Sequence, residues 1–291
     1  ETVLSRQETL QATYDRNARR YEQHAALENE VCGRLLERVA FGREEPGVVL
    51  ELGCGAGGGA ASLKKSLRKS QVIALDLSAG MLALAGRKSR LTRPIRLING
   101  DMNALPLAQH SVDLVFSNLA MPWLEGFGAL FDEVRRVLKP GGMFLFSTFG
   151  PASFGQLNSA ASKAFENFDM PGFPDLLEVG DALTAAGFME PVMDVDFITL
   201  HYPGIGAMAD ELEATGSSLL FPRWPELRAS LGEFEAAWQT MEGGQRYPLG
   251  FEVIYGAAFG PPEGQPRRTE SGEIATFSVD SLVKSRSLGY D

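Results

Sequence analysis

Cysteine and histidine are scarce in this chain, which has two cysteines and three histidines among 291 residues. The two cysteines, Cys32 and Cys54, are too few for a disulfide framework and favour a reducing compartment. His110 and His201 have neither a cysteine nor a second histidine nearby in sequence, so we expect no metal site.

Basic residues are also few: the chain has 27 lysines and arginines but 37 acidic residues, which gives a formal net charge of −10. Nucleic-acid binding depends on neutralising phosphates with Lys and Arg, so this composition argues against it. The sequence has no long apolar run and no signal-peptide pattern. We therefore expect a cytoplasmic protein that has no membrane partner.

The middle of the chain predicts an α/β fold. Apolar segments predict five strands, with helical patterns between them at 60–68, 79–88 and 127–138; the strands are expected at residues 48–52, 71–76, 95–99, 112–117 and 143–149. Such alternation predicts a parallel sheet with helices on both faces. A sheet of this kind binds its ligand beyond the carboxyl ends of the strands.

The flanking regions predict covering helices. Two helices at 6–39 precede the core, and a looser series follows it, with helices at 154–168, 179–186, 205–215 and 226–241 and strands at 192–200 and 251–259. We therefore expect a helical cover (1–46), a main domain (47–259) with lid segments at about 151–178 and 203–246, and a linker with a short tail (260–291).

Residues 48–57 read VVLELGCGAG, an apolar run that ends in a glycine-rich turn. Gly53, Gly55 and Gly58 satisfy the pattern G-x-G-x-x-G, which fits a nicotinamide or flavin site and also an ordinary strand-to-helix turn. Glu51 argues against a dinucleotide, because a carboxylate at the mouth of the site would repel the dinucleotide pyrophosphate. It suits the cationic amino or sulfonium end of S-adenosylmethionine.

Two further acids follow predicted strands. Asp76 lies 19 residues after Gly57 and can accept hydrogen bonds from ribose hydroxyls. A helix-capping role is the alternative for Asp76, but Ser78 is better placed as that cap. Asp101 could accept from an adenine amino group beside Met102, although a lone Asp in a turn is usually only a turn residue.

Ser117 and Leu119, at the end of the fourth strand, are expected to reach the cofactor side, and residues 139–142 (KPGG) predict a tight turn into the fifth. With all these features in order, residues 48–149 resemble the class I S-adenosylmethionine-dependent methyltransferases. The resemblance implies a mostly parallel, seven-stranded, Rossmann-like sheet closed by an antiparallel hairpin. It also implies a set of cofactor-binding residues, which are Glu51, Gly53, Cys54, Gly55, Gly57, Asp76, Leu77, Met81, Asp101, Met102, Asn103, Ser117 and Leu119.

Short motifs outside this core narrow the resemblance; they are 18–25 (ARRYEQHA), 148–151 (TFGP), 181–188 (DALTAAGF), 211–216 (ELEATG) and 251–256 (FEVIYG). Together and in order, they resemble the malonyl-acyl-carrier-protein O-methyltransferases of biotin synthesis. That family implies methylation of the free carboxylate of a malonyl thioester, with S-adenosylhomocysteine as the other product. The implied partner is malonyl-acyl-carrier protein or malonyl-coenzyme A.

Several residues are candidates for the acceptor site. Tyr21 and His24 could close over the methyl-transfer site, or they could be a core and a surface residue. Arg246 has the forked geometry that a carboxylate prefers, although it could equally be a solvated loop residue. Trp123 and Phe149 follow strand ends and could form the wall of an acyl pocket or belong to the core.

An acidic carrier protein would need a local basic face on this acidic chain. Arg16, Arg19 and Arg20 are candidates, as is the pair Lys163 and Arg223; a scattered, solvated set is the alternative. The resembling family usually has a basic residue where this chain has Glu213, and this departure puts a docking role for the second lid in doubt.

Two other functions stay open at this point. A methyltransferase of another small acceptor would share the same core and differ only in its lid. A non-methylating assembly factor of respiratory complex I would keep the cofactor fold and act on a partner protein instead.

Overall fold

A seven-stranded sheet forms the centre of the computed structural model, which describes residues 5–39, 45–166, 168, 172–242, 247–262, 267–269 and 272–274. The strands are β1 (Val48–Leu52), β2 (Gln71–Asp76), β3 (Ile95–Asn99), β4 (Val112–Asn118), β5 (Leu138–Phe149), β6 (Met189–Tyr202) and β7 (Tyr247–Phe259). Their order is β3-β2-β1-β4-β5-β7-β6. The first five strands are parallel, and β7 is antiparallel to both β5 and β6. The predicted α/β class and its closing hairpin are confirmed.

Ten helices surround the sheet within the described residues. They are α1 (Arg6–His24), α2 (Ala26–Arg38), α3 (Gly58–Ser66), α4 (Ala79–Lys88), α5 (Gly128–Val137), α6 (Gly155–Ala164), α7 (Leu176–Ala185), α8 (Ile205–Ala214), α9 (Trp224–Ala229) and α10 (Leu231–Glu242). Among these described helices, none has the length and apolar content needed to cross a bilayer.

Two apolar cores lie on opposite faces of the sheet because successive strand residues point to opposite sides. Val49 of β1 packs with α2, α3 and the helices of the predicted lid segments, α6 and α8 to α10 (hereafter the lid helices), whereas Leu50 packs with α5 and α7. The lid helices belong to the first core, since Trp238 of α10 is buried in the same cluster as Val49. The lid therefore shares its packing with the sheet.

Helix α1 begins at a capping box, in which Ser5 Oγ accepts from the N–H of Glu8 and the Glu8 carboxylate accepts from the N–H of Ser5. Ala25, with φ −83° and ψ 46°, separates α1 from α2. The expected pair of helices at 6–39 is thus present.

The C-terminal half differs from expectation in two places. The helical region predicted over 226–241 is present but divided, because α9 and α10 are separated at Ser230, whose φ of −116° and ψ of 37° are not helical. Two short antiparallel strands, β8 (Arg267–Thr269) and β9 (Gly272–Ile274), lie in the segment expected to be linker and tail. The division into cover, main domain, lids and tail stays a prediction.

Candidate functional site

A cavity of about 660 Å³, hereafter the main cavity, lies at the carboxyl ends of β1 to β4. Its volume is typical of small-molecule sites. Eleven of the residues predicted from the sequence line it, namely Tyr21, Gly53, Gly55, Asp76, Leu77, Asp101, Met102, Asn103, Leu119, Trp123 and Phe149. The structure thus brings the separate sequence features to one place.

The turn after β1 requires glycine. Gly53, Gly55 and Gly57 have φ of 64°, 52° and 78°, in the left-handed region that other residues rarely adopt. A Cβ atom on Gly53 would lie 2.5 Å from Cβ of Ala120, and one on Gly57 would lie 2.6 Å from Cβ of Ala85. The turn therefore presents bare backbone to the main cavity just before α3 begins.

Asp76, at the end of β2, joins this turn to the start of α4. Its carboxylate accepts hydrogen bonds from the N–H groups of Gly55 and Ser78, each at 2.8 Å. Ser78 caps α4 as expected, because its Oγ accepts from the N–H of Met81 at 3.0 Å. Burial raises the pKa of Asp76, and the Ser78 and Gly55 N–H groups oppose that rise. The carboxylate is thereby held at the cavity wall.

Asp101 follows β3 and is fixed from two sides. Its Oδ1 accepts from the N–H of Asn103 at 2.8 Å, and its Oδ2 accepts from Nε2 of Gln7 at 3.0 Å. Gln7 belongs to α1, so this contact attaches the cover to the β3 side of the cavity.

The end of β4 presents Asn118 and Leu119 to the main cavity, whereas Ser117 is fully buried in the sheet. The Ser117 hydroxyl donates to the carbonyl oxygen of Leu52 at 3.4 Å and does not line the cavity. Asn118 donates from Nδ2 to the carbonyl oxygen of Glu28 at 2.9 Å. This bond connects the end of β4 to the first turn of α2.

Aromatic side chains of α1 and of the β4 and β5 ends cover the cavity. The ring of Tyr14 lies 6.2 Å from that of Tyr21 and 5.7 Å from that of Trp123, both edge to face. Burial, with the Glu28 and Asp76 carboxylates nearby, raises the pKa of Tyr14 and of Tyr21 well above the ordinary value. Both phenols are therefore protonated hydrogen-bond donors.

A smaller chamber of about 90 Å³, hereafter the side chamber, adjoins the main cavity and shares Tyr21, Glu28, Gly53 and Asn118 with it. Glu51 and Cys54 line this chamber instead of the main cavity. Burial and the nearby Asp76 raise the pKa of Glu51 to about 8. Its Oε2 is buried without a hydrogen-bond partner in the described structure.

The remaining predicted residues lie elsewhere. Gly57 is in the turn against Ala85, and Met81 is buried between α4 and α1. His24 lies at the end of α1, near Glu211; burial raises the pKa of Glu211, and the hydrogen bond from the Tyr202 hydroxyl opposes that rise. Arg246 lies outside the described residues.

Sequence reasoning missed several residues that line the main cavity. Gln7, Tyr14 and Glu28 come from the helical cover, and Asn118 comes from the end of β4. The helical spacing of Tyr14 and Tyr21 was a usable signal, but it fits core packing equally well. No pattern along the chain indicated that the start of α2 would meet the end of β4. In the described part of the chain, no group of three His, Cys, Asp or Glu residues could hold a metal ion.

A matched pair of glycines tests the position of Glu51. A Cβ on Gly59 would overlap Oε1 of Glu51, whereas one on Gly58 would make an ordinary contact of 3.6 Å with Asn29. We expect Gly59→Ala to displace the Glu51 carboxylate and to weaken binding of S-adenosylmethionine, the predicted cofactor, about 10-fold. Gly58→Ala should bind it normally. Calorimetric titration of both variants checks this, and equal affinities would contradict it.

Comparisons with known proteins agree with this geometry. A family model described as a methyltransferase domain matches residues 50–146. The chain is 35% identical to the malonyl-acyl-carrier-protein O-methyltransferase of Xylella fastidiosa over 94% of both chains. It is 36% identical to the protein of that name from Halorhodospira halophila, over 91% of this chain and 92% of the other.

Solved structures share the fold. The YcgJ protein of Bacillus subtilis matches with a TM-score of 0.56 at 17% identity, over 79% of this chain and 98% of that one. Phosphoethanolamine N-methyltransferase 2 of Haemonchus contortus, solved with S-adenosyl-L-methionine, matches with a TM-score of 0.56 at 21% identity, over 89% of this chain and 60% of that one.

Proposed function

This chain belongs to the malonyl-acyl-carrier-protein O-methyltransferase family, and on that premise we propose that it methylates the free carboxylate of a malonyl thioester, with S-adenosylmethionine as methyl donor. The whole-length match to relatives named for this reaction carries the proposal. The methyl ester so formed is the product that the family supplies to biotin synthesis. A cytoplasmic location is part of the proposal, supported by the two free cysteines, Cys32 and Cys54.

The residues of the site fit a cationic cofactor. Glu28 and Glu51 each have a buried carboxylate oxygen without a partner among the described residues. Asp76 and Asp101 line the main cavity at the ends of β2 and β3, where ribose and adenine binding are proposed. Arg6 is the single cation among the described residues lining that cavity. Its wall therefore favours positive charge.

The proposed reaction requires the residues of the site mainly to position the two reactants. When bound, S-adenosylmethionine supplies a methyl group already activated by its cationic sulfur. The malonyl carboxylate is ionised near neutral pH, so no residue has to act as a general base. The residues of the site instead orient the two reactants and exclude water, and positioning of this kind contributes roughly 7–11 kcal/mol in well-aligned reactions.

The aromatic part of the main cavity is the proposed acceptor site. The phenols of Tyr14 and Tyr21 are protonated and can donate to the malonyl carboxylate, while Trp123 and Phe149 form an apolar wall for the acyl chain. Tyr21 therefore keeps its proposed positioning role. The roles of His24 and Arg246 at the carboxylate stay predictions.

The exposed face of α1 is the proposed contact for an acidic carrier protein. Arg16, Arg19 and Arg20 are exposed on it and make no ion pair with any described residue. Arg223, by contrast, is engaged by Glu226 at 2.5 Å. The first turn of the same helix lines the main cavity, so a partner on this face can reach its entrance.

Glu213, where the family usually has a basic residue, has a structural role in this chain. Its carboxylate accepts from Nε1 of Trp224 at 3.1 Å and pairs with Nε of Arg228 at 3.0 Å. These contacts attach α9 to α8. They support α1, and not the second lid, as the carrier contact.

Charge reversal tests this surface. We expect the triple substitution Arg16→Glu, Arg19→Glu and Arg20→Glu to lower kcat/KM for malonyl-acyl-carrier protein about 10-fold or more at low salt, through loss of electrostatic attraction. With malonyl-pantetheine, which has no carrier protein, the rate should not change.

The matched control reverses the three exposed cations at the opposite end of the strands, Lys65, Arg68 and Lys69. An equal loss in this control variant would show that net charge alone matters. An unchanged rate in the α1 variant would remove that face from carrier binding.

Intact mass spectrometry tests the proposed function itself. Malonyl-acyl-carrier protein is incubated with this protein and S-adenosylmethionine, beside acetyl-acyl-carrier protein and malonyl-coenzyme A. A gain of one methyl group on malonyl forms alone supports carboxyl methylation, and the relative rates identify the preferred carrier. Cofactor binding without any gain would contradict the proposal and favour another acceptor or a non-methylating assembly factor.

A further inference from the structure

Glu28 is a half-buried acid with an enclosed carboxylate oxygen that the residues around it do not satisfy. It lies in the first turn of α2 and lines both the main cavity and the side chamber. Its Oε2 is buried and has no hydrogen-bond partner in the described structure. Enclosing a carboxylate oxygen without a partner is costly, so the position calls for a ligand that supplies one.

Among the described residues, no cation compensates the charge of Glu28. Burial raises the pKa of Glu28 to about 7; the N–H of Glu28 itself opposes that rise, and the Glu211 carboxylate adds to it. Lys88 lines the side chamber, but it pairs with Glu22 at 2.7 Å. A positive group on a bound ligand is therefore the missing partner.

The side chamber is built for such a group. Glu51 lines it together with Glu28 and also has a buried, unpartnered Oε2. Asn118 and Gly53 belong to both cavities, at the carboxyl ends of β4 and β1. The bond from Asn118 Nδ2 to the carbonyl oxygen of Glu28 holds α2 at this place. Two carboxyl groups thus line one small space that shares part of its wall with the main cavity.

The position of the chamber selects one end of the cofactor. Asp76 and Asp101, proposed for ribose and adenine, follow β2 and β3, whereas Glu28 lies at the ends of β1 and β4. Resting on the proposed use of S-adenosylmethionine, we infer that Glu28 binds the α-ammonium group of the methionine end in the side chamber, opposite Glu51. Glu28 is then a cofactor-positioning residue contributed by the N-terminal cover, and the cover completes the cofactor site.

Two ligands that differ only in the amino-acid end separate this role from others. S-adenosylhomocysteine has the ammonium group, and 5′-methylthioadenosine has the same adenosine and thioether without it. Glu28→Gln keeps the size of the side chain and removes its charge. We expect calorimetric titration of the full chain to show about 10- to 100-fold weaker binding of S-adenosylhomocysteine by this variant, with unchanged binding of 5′-methylthioadenosine.

Controls make the result specific. Glu30→Gln changes an exposed acid of the same helix, which pairs with Arg34 at 2.9 Å, and should leave both affinities unchanged. Glu28→Asp keeps the charge and should retain more affinity for S-adenosylhomocysteine than Glu28→Gln. The thermal unfolding temperature of the ligand-free Glu28→Gln variant should equal or exceed that of the wild type, because the variant has lost an acid whose enclosed oxygen has no partner.

Two results would overturn the inference: equal weakening of both ligands, or no weakening of either. The proposed function is judged separately, by methylation of malonyl-acyl-carrier protein. If the wild type methylates that substrate and Glu28→Gln binds S-adenosylhomocysteine normally, the role of Glu28 fails and the function stands. If the wild type binds both ligands but methylates nothing, the function fails and the Glu28 comparison still decides its own question.

Discussion

Asp76→Ala is expected to weaken S-adenosylmethionine binding by about 100-fold or more, since charge-assisted hydrogen bonds contribute about 1.5–3 kcal/mol each. The substitution removes the proposed partner of both ribose hydroxyls. It also leaves the N–H groups of Gly55 and Ser78 without their acceptor, so the glycine turn loses its attachment to the start of α4. Calorimetric titration of the variant measures the loss.

Asp113→Ala is the matched control for that experiment. Asp113 accepts from the N–H of Val48 and from Nζ of Lys139, each at 2.8 Å, near the amino ends of the strands and away from the main cavity. Removing it should lower stability without changing cofactor affinity. If Asp76→Ala binds the cofactor as well as Asp113→Ala does, Asp76 is not a cofactor ligand.

Trp238→Ala is expected to lower the free energy of unfolding by about 3–5 kcal/mol, the usual cost of emptying a large buried aromatic site. Trp238 is 1% exposed, and its ring lies 5.7 Å from that of Phe234 and 6.4 Å from that of Tyr247. It belongs to the core shared by the lid and the sheet, so the loss should appear in a single unfolding transition. Urea unfolding measures it.

Trp123→Ala provides the contrast. Trp123 is only partly buried and lines the main cavity beside Tyr14. We expect this variant to unfold close to the wild type and to show a raised KM for the malonyl substrate. Trp238→Ala would thus affect mainly stability, and Trp123→Ala would affect mainly substrate binding. A large loss of stability in Trp123→Ala with an unchanged KM would instead make Trp123 a core residue.

The positions of the strands and of the acids along the chain could be predicted because both are local in sequence. β1, β2 and β4 are short, mostly apolar runs, and Asp76 and Asp101 lie at or just after the ends of β2 and β3. In a parallel sheet the carboxyl ends of the strands lie at one edge, so acids that follow successive strands in the sequence become neighbours in space. The break between α9 and α10 was missed because helical spacing continues on both sides of Ser230.

The exact residue at the end of β4 could not be predicted for a similar reason. Strand side chains alternate between faces, and a strand end uncertain by one residue exchanges the two sets. Ser117 points into the sheet, while Asn118 reaches the main cavity and Leu119, with a φ of 49°, leaves the strand there. Only the three-dimensional packing distinguishes these neighbours.

The sequence by itself determined the sheet, the glycine turn and the series of acids that identify a cofactor site, because each depends on residues near one another in the chain. Tertiary structure alone decided which polar side chains of the cover reach that site. Gln7 meets Asp101 across 94 residues and Asn118 meets Glu28 across 90, and no local pattern encodes such contacts. They arise because α1 and α2 lie over the carboxyl ends of the strands, where their polar side chains can be satisfied only by distant partners or by a ligand.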